Sequence, residues 1–250
     1  RMARSDTTGI IRQRLAREVG RIDKDAPYRV ALTYPSPYHT AMSSLGFLAI
    51  YRAIQAEDGM CAERVFLPDE PTPGARTREP TEALSYEGLR QLADFPVIAV
   101  SVAYELELAG LVTLLRSAGI PTKRADRDAR HPFILAGGPL TFSNPLPLAP
   151  FVDAIVMGEA DTLAVEALRV IRDARSRADA LTALAAIPHV FVPDHHGSEL
   201  PPIAKCDVAL LPAWSPIRTP DTELRNMMLI ETERGCSRAC AAGASRVRRP

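Results

Sequence analysis

Strand-like and helix-like segments alternate along the first 175 residues of this chain. That alternation predicts an α/β fold, a doubly wound parallel sheet of about five strands with helices on both faces. Three observations carry the prediction. Pro96–Ala103 (PVIAVSVA) is an almost unbroken apolar run rich in β-branched residues, the texture of a strand buried on both faces. Leu108, Leu111, Val112 and Leu115 follow it at the spacing of one helix face. Glycine or proline then punctuates nearly every boundary, as turns between short elements require.

The elements are expected in this order. Ile10, Ile11, Leu15 and Val19 among charges mark an amphipathic N-terminal helix, with Pro27 ending that stretch. Tyr28–Tyr34 is the first strand, broken by Pro35-Ser36-Pro37. Ser43 or Ser44 caps a helix running to about Asp58, closed by Gly59. Ala62–Leu67 is a second strand, followed by a proline-rich loop and a helix over Glu82–Ala93. After Pro96–Ala103 comes the helix Leu106–Ala118, then the strand Pro132–Ala136 closed by Gly137-Gly138-Pro139. Ala154–Met157 is the fifth strand, and a helix over about Asp161–Arg175 follows Gly158-Glu159. Beyond about residue 178 the text becomes proline-rich with short apolar pieces, which reads as a linker with short strands. Leu229-Ile230-Glu231 then opens a further domain.

Composition narrows the function classes. Lys+Arg and Asp+Glu are 30 each, so no global field recruits nucleic acid or an anionic membrane. No apolar run approaches the ~18 residues of a membrane span, and the charged N-terminus is not a signal peptide. Four scattered cysteines (61, 206, 236, 240) are not a disulfide framework, and a reducing, cytoplasmic compartment is expected.

In parallel sheets ligands sit beyond the carboxyl ends of the strands. Those ends hold Pro35–Thr40, Ser101–Tyr104, Gly137–Phe142 and Gly158–Glu159. Each also has a plainer reading. Gly137-Gly138 can be a tight turn, Ser101 can bond nearby backbone, and Glu159 can be a charge at a helix N-terminus. Asp194-His195-His196 reads as a solvated loop, because no further ligand has a defined spacing to it. Cys61 and Cys206 read as small buried apolar residues.

The most specific feature is Arg234-Gly235-Cys236-Ser237-Arg238-Ala239-Cys240. Closely spaced thiolates on one loop can ligate an iron–sulfur cluster, and two free cysteines in a tail is the alternative. A third cysteine at 243 would complete C-x-x-x-C-x-x-C, but position 243 is Gly. The text that follows, to Pro250, is Ala/Arg-rich without acids or periodicity. It has the character of a GC-rich gene read in a shifted frame, so a frameshift or truncation within the loop is expected.

The phrase Glu231-Thr232-Glu233-Arg234-Gly235-Cys236 through Cys240, behind a strand-like Met227–Glu231, closely resembles the opening of the barrel in radical S-adenosylmethionine proteins. Upstream, Tyr34-Pro35-Ser36-Pro37-Tyr38 with Ala41–Gly46 resembles the start of the cobalamin (B12)-binding domain fused to many of them. Ala62–Phe66, Ala136-Gly137-Gly138-Pro139 with Asn144-Pro145, and Gly158-Glu159-Ala160-Asp161 resemble its later landmarks. The resemblance spans about residues 27–240. The loop Ser36-Pro37-Tyr38-His39-Thr40 departs from the D-x-H-x-x-G pattern that supplies a cobalt ligand, so His39 is not expected to bind cobalt.

What the resemblance implies is a Rossmann-like domain of the cobalamin-binding type, ahead of the first strand of a (β/α) barrel. The expected layout is residues 1–26 as a helical extension, 27–177 as the cobalamin-binding-like domain, 178–225 as a linker and 226–250 as the start of the radical domain. Cofactor contacts fall on Ser36, Tyr38, Ser44, Ser101, Gly137, Gly138, Gly158 and Glu159, and cluster ligands on Cys236 and Cys240. The intact parent would carry a four-iron four-sulfur cluster and S-adenosylmethionine, with cobalamin open as a third cofactor held without a histidine ligand. The parent is then an oxidoreductase or methyltransferase-type radical enzyme of unnamed substrate. This chain, with two of three cluster cysteines, is expected to bind no cofactor stably and to do no radical chemistry, which leaves its status as an enzyme open. A separately encoded radical S-adenosylmethionine barrel is the partner it could meet. The alternative is a non-catalytic Rossmann-like module for small-molecule binding or docking.

Overall fold

The computed structural model describes residues 2–69 and 83–234. The chain opens with α1 (Met2–Arg17) and enters the sheet at β1 (Tyr28–Pro37). A single turn, α2 (Tyr38–Ala41), leads to α3 (Leu45–Ala56) and β2 (Met60–Leu67). Then come β3 (Val97–Ser101), α4 (Glu107–Ser117), β4 (Phe133–Gly137), β5 (Ala154–Val156) and α5 (Leu163–Asp173). The remainder comprises α6 (Arg177–Ala185), β6 (Val190–Phe191), α7 (Pro193–His196), β7 (Ala213–Trp214) and β8 (Ile230–Glu231).

The main sheet has the order β2-β1-β3-β4-β5-β6. Its first five strands are mutually parallel, and β6 joins β5 antiparallel. The doubly wound expectation therefore holds, with one strand more than the five expected. The sixth comes from the apolar piece His189–Val192, in the stretch read as linker. It is one of the short apolar pieces read as short strands of a linker, and its pairing with Ile155 and Val156 places it in the main sheet instead.

Period-two alternation divides the strands between two cores. Val30, Leu32, Val97, Ala99, Phe133, Leu135, Ala154 and Val156 pack on the face covered by α3, α5 and α6. Ala31, Ile98, Val100, Ile134, Ala136 and Ile155 pack on the other, against Leu111, Leu114 and Leu115 of α4. On α3, Phe47, Leu48, Tyr51 and Ile54 supply the inward stripe. Ser44 caps it, its hydroxyl accepting from the Phe47 amide at 3.4 Å.

Two expectations fail for tertiary reasons. Pro35-Ser36-Pro37 does not break β1: the strand continues to Pro37 and pairs with Leu67 after a register shift beyond Tyr34. The two missing amide donors are absorbed by that irregularity, where a ladder bond is already lost. The helix over Glu82–Ala93 is absent among the described residues of that stretch. Residues 84–91 instead form a turn closed by a Leu84–Gln91 bridge, followed by a 3-10 turn at Leu92–Asp94. Ser85 donates to the buried Glu63 carboxylate at 2.6 Å and Glu87 takes the Arg64 guanidinium, bonds that a regular helix would forfeit.

The N-terminal extension is tied down by charge as much as by Ile11 and Leu15. Arg64 of β2 is fully buried. It donates to both Glu18 oxygens at 2.8 Å and to Glu87 at 2.6 Å. Leu229–Glu231, expected to open a barrel, supplies β8, which pairs antiparallel with β7 in a two-stranded ribbon. Barrel strands are parallel, and no barrel occurs among the described residues.

Candidate functional site

A cavity of about 440 Å³ lies at the carboxyl edge of the sheet, on the α3/α5 face. Leu32, Ala99, Leu135 and Val156, the inward residues of four adjacent parallel strands, form its apolar floor. Ser44–Phe47 at the start of α3 line one side, and Gly158–Asp161 at the approach to α5 line the other. Ala213, Glu231, Glu233 and Arg234 complete the lining from the C-terminal segment. The strand order 2-1-3-4-5 reverses direction between β1 and β3, the switch point where a crevice is expected in an open parallel sheet.

Six of the eight residues expected at a cofactor site line this cavity: Ser44, Ser101, Gly137, Gly138, Gly158 and Glu159. Ser36 and Tyr38 lie elsewhere. The Ser36 hydroxyl donates to Glu107 at 3.1 Å. Tyr38 is buried, stacked on Tyr86 with ring centroids 5.1 Å apart, and donates to Glu18 at 2.8 Å. His39 is exposed and outside the cavity. Cys236 and Cys240 lie outside the described residues.

The glycines differ in what they do. Gly138 has φ +105°, and a Cβ there would stand 2.7 Å from the Val102 carbonyl oxygen. Gly158 has φ +90°, with the Ala204 carbonyl 2.5 Å from where its Cβ would be. Both are fixed by close backbone approach. Gly137 is different: a Cβ would meet only Val156, at 3.7 Å, and Gly46 has nothing within 4 Å. These two leave room on the cavity side. Ser101, beside Gly137 in the β3–β4 ladder, has no hydrogen-bond partner for its hydroxyl among the described residues and is free to meet a ligand. Glu159 is committed: it accepts from the Cys206 amide at 2.6 Å.

The rim is acidic, with Glu159, Asp161, Glu231 and Glu233 against one arginine, Arg234. Arg234 donates to both Asp161 oxygens at 2.9 Å, to Glu231 at 2.9 Å and to Glu159 at 3.3 Å. Burial pushes the Asp161 carboxyl up, but the hydrogen bonds and charge of Arg234 outweigh it and leave it below the ordinary aspartate value. Partial burial, then Asp161, pushes the half-buried Cys206 thiol up, so it remains protonated at neutral pH. Arg234 and Asp161 were not expected at the site. Both occur in phrases legible in the sequence, but a contact spanning 73 positions leaves no local signal.

The remaining candidates are structural. His196 accepts from the Val192 amide at 2.9 Å and stacks on Phe191, and Asp194 pairs with Arg124. Cys61 is buried in β2. No described helix is long and apolar enough to cross a membrane.

Compared with known proteins, residues 46–193 match the family model described as the N-terminal region of radical SAM proteins. No curated protein and no solved structure matches the chain. The match covers more than half of the chain, from α3 through the last strand of the main sheet, and so includes most of the cavity. The chain belongs to the radical SAM proteins, through their N-terminal region.

Proposed function

We propose that this domain is the small-molecule-binding module of a radical SAM protein, and that the nucleotide tail of cobalamin is the ligand its cavity takes. One observation carries the reading. Six residues expected from sequence at a cofactor site converge on one cavity at the switch point of the sheet. Its volume of about 440 Å³ lies in the range of small-ligand sites, roughly 300–1,000 Å³.

The residues present fit part of that cofactor. The apolar floor and the open space at Gly46 and Gly137 suit a flat heterocycle, and the free Ser101 hydroxyl supplies a polar contact. The bulky corrin would remain outside. The acidic rim offers no anion site, so affinity would rest on burial of the base. Bound cobalamin would supply methyl-transfer chemistry. This chain's own residues would orient the tail and keep the floor dry, with no histidine reaching cobalt.

For the cluster the fit is worse. A four-iron cluster is held by cysteine thiolates, and the loop offers Cys236 and Cys240 with glycine at 243. Two local thiolates fall short of the three expected there, and no radical step is assigned to this polypeptide. The cytoplasm as compartment and a separately encoded barrel as partner belong to the same proposal. The test is titration with hydroxocobalamin followed by visible absorption. A saturable shift of the corrin bands that Gly137→Val abolishes supports the module, and no shift in the wild type overturns the cobalamin assignment.

A further inference from the structure

Ala213 is buried and Arg52 of α3 lies 4.3 Å over the Trp214 ring, but few contacts hold Glu231–Arg234 against the cavity. Ribbon pairing amounts to Ala213 with Glu231 and Trp214 with Ile230, extended by two hydrogen bonds between Ser215 and Leu229. Met227, Met228 and Ile230 are 60%, 50% and 55% exposed and contribute little burial. Beyond Glu231 the ladder stops, yet Glu233 and Arg234 still line the cavity. Glu233 is exposed, as are Gly46 and Phe142 of the same lining, so the segment forms one edge of the cavity's opening.

What fixes the segment there is Arg234. Its guanidinium joins Glu231 on its own segment to Asp161 and Glu159 on the turn before α5. The side chains are only partly exposed, at 17% for Arg234 and 22% for Asp161, so the pair is stronger than a surface bridge. It is still reachable by water and can open without unfolding the sheet. Three carboxylates share this one cation. If it leaves, Glu231 faces Asp161 and Glu159 without compensation, and like-charge repulsion drives the segment away from the turn. Such an arrangement has a held state and a repelled state, with little packing to support anything between them.

We propose that Arg234 is a latch: pairing with Asp161, it holds Glu231–Arg234 at one edge of the cavity's mouth and sets how fast a small molecule enters and leaves. The latch rests on the reading of the cavity as a binding site, but its mechanical part is testable without a ligand. In the full chain, hydrogen exchange at the amides of 229–234 is compared among wild type, Arg234→Gln, Asp161→Asn and the reversal Asp161→Arg/Arg234→Asp. Each single variant is expected to exchange there on the order of tenfold faster, with β3 amides unchanged, and the reversal to recover most of the loss. Stopped-flow uptake of Nile red, a neutral apolar probe, and of hydroxocobalamin should show on- and off-rates rising together in Arg234→Gln with Kd conserved.

Unchanged exchange at 229–234 overturns the latch. So does faster exchange throughout the molecule that the reversal does not repair. A changed Kd, with one rate moving and the other staying put, also overturns it, by making Arg234 a ligand contact instead. If the wild type binds no hydroxocobalamin, the cobalamin assignment fails alone, and exchange and Nile red still decide the latch.

Discussion

Arg64 shows how a single buried charge organises the N-terminal half. It has no solvent exposure and is met by Glu18 from the segment after α1 and by Glu87 from the turn after β2. Tyr51 places its ring 5.3 Å beneath the guanidinium. Removing one partner of a buried pair is far costlier than never having built it. Arg64→Met therefore strands two carboxylates and is expected to lower unfolding stability by about 3–5 kcal/mol in urea melts. A loss within about 0.5 kcal/mol, the range of ordinary surface changes, would contradict that role.

Glu107 is the second residue whose charge state matters. It is buried at the start of α4, accepting from the Ala103 amide at 2.6 Å and from Ser36. Burial raises its pKa above the ordinary glutamate value despite those bonds. A raised acid binds more protons folded than unfolded, so stability falls as pH rises from the ordinary value through the folded one. Glu107→Gln should flatten that part of the stability–pH curve. A slope there unchanged by the substitution would remove Glu107 as its source.

At the scale of elements, the glycines separate backbone necessity from spare room. Gly138→Ala places a Cβ against Val102 at positive φ and is expected to cost about 1–3 kcal/mol. Gly46→Ala meets nothing within 4 Å and sits in α3, where alanine should gain up to about 1 kcal/mol. Thermal melts of the two variants should move in opposite directions, and parallel shifts would contradict this division. The same contrast explains what the sequence reveals. β3 and α4 are legible because buried-strand texture and helical spacing coincide with their final environment. Residues 84–91 are not, because Ser85 and Glu87 serve Glu63 and Arg64 on a neighbouring strand. Local propensity cannot see that debt.

Across the whole molecule, strand order turns a set of loops into one site. Ser44, Ser101, Gly137 and Glu159 are spread over more than 100 positions, and each follows or flanks a different strand end. Their meeting was legible because parallel sheets gather their carboxyl ends along one edge. Ser36 and Tyr38 escaped the same logic because the β1 irregularity carries them to the Glu107 and Glu18 networks instead. Arg234 lies in the phrase that leads into the cysteine loop, yet its partner Asp161 belongs to another landmark, and only the fold joins them.

On the proposed reading, the cavity beneath this arginine binds a cofactor tail. Its most direct test is equilibrium titration of the full chain with hydroxocobalamin, read by the corrin absorption bands beside Gly137→Val. A saturable shift is expected in the wild type and none in the variant at equal folded content. An identical shift in both, or none in the wild type, would contradict it.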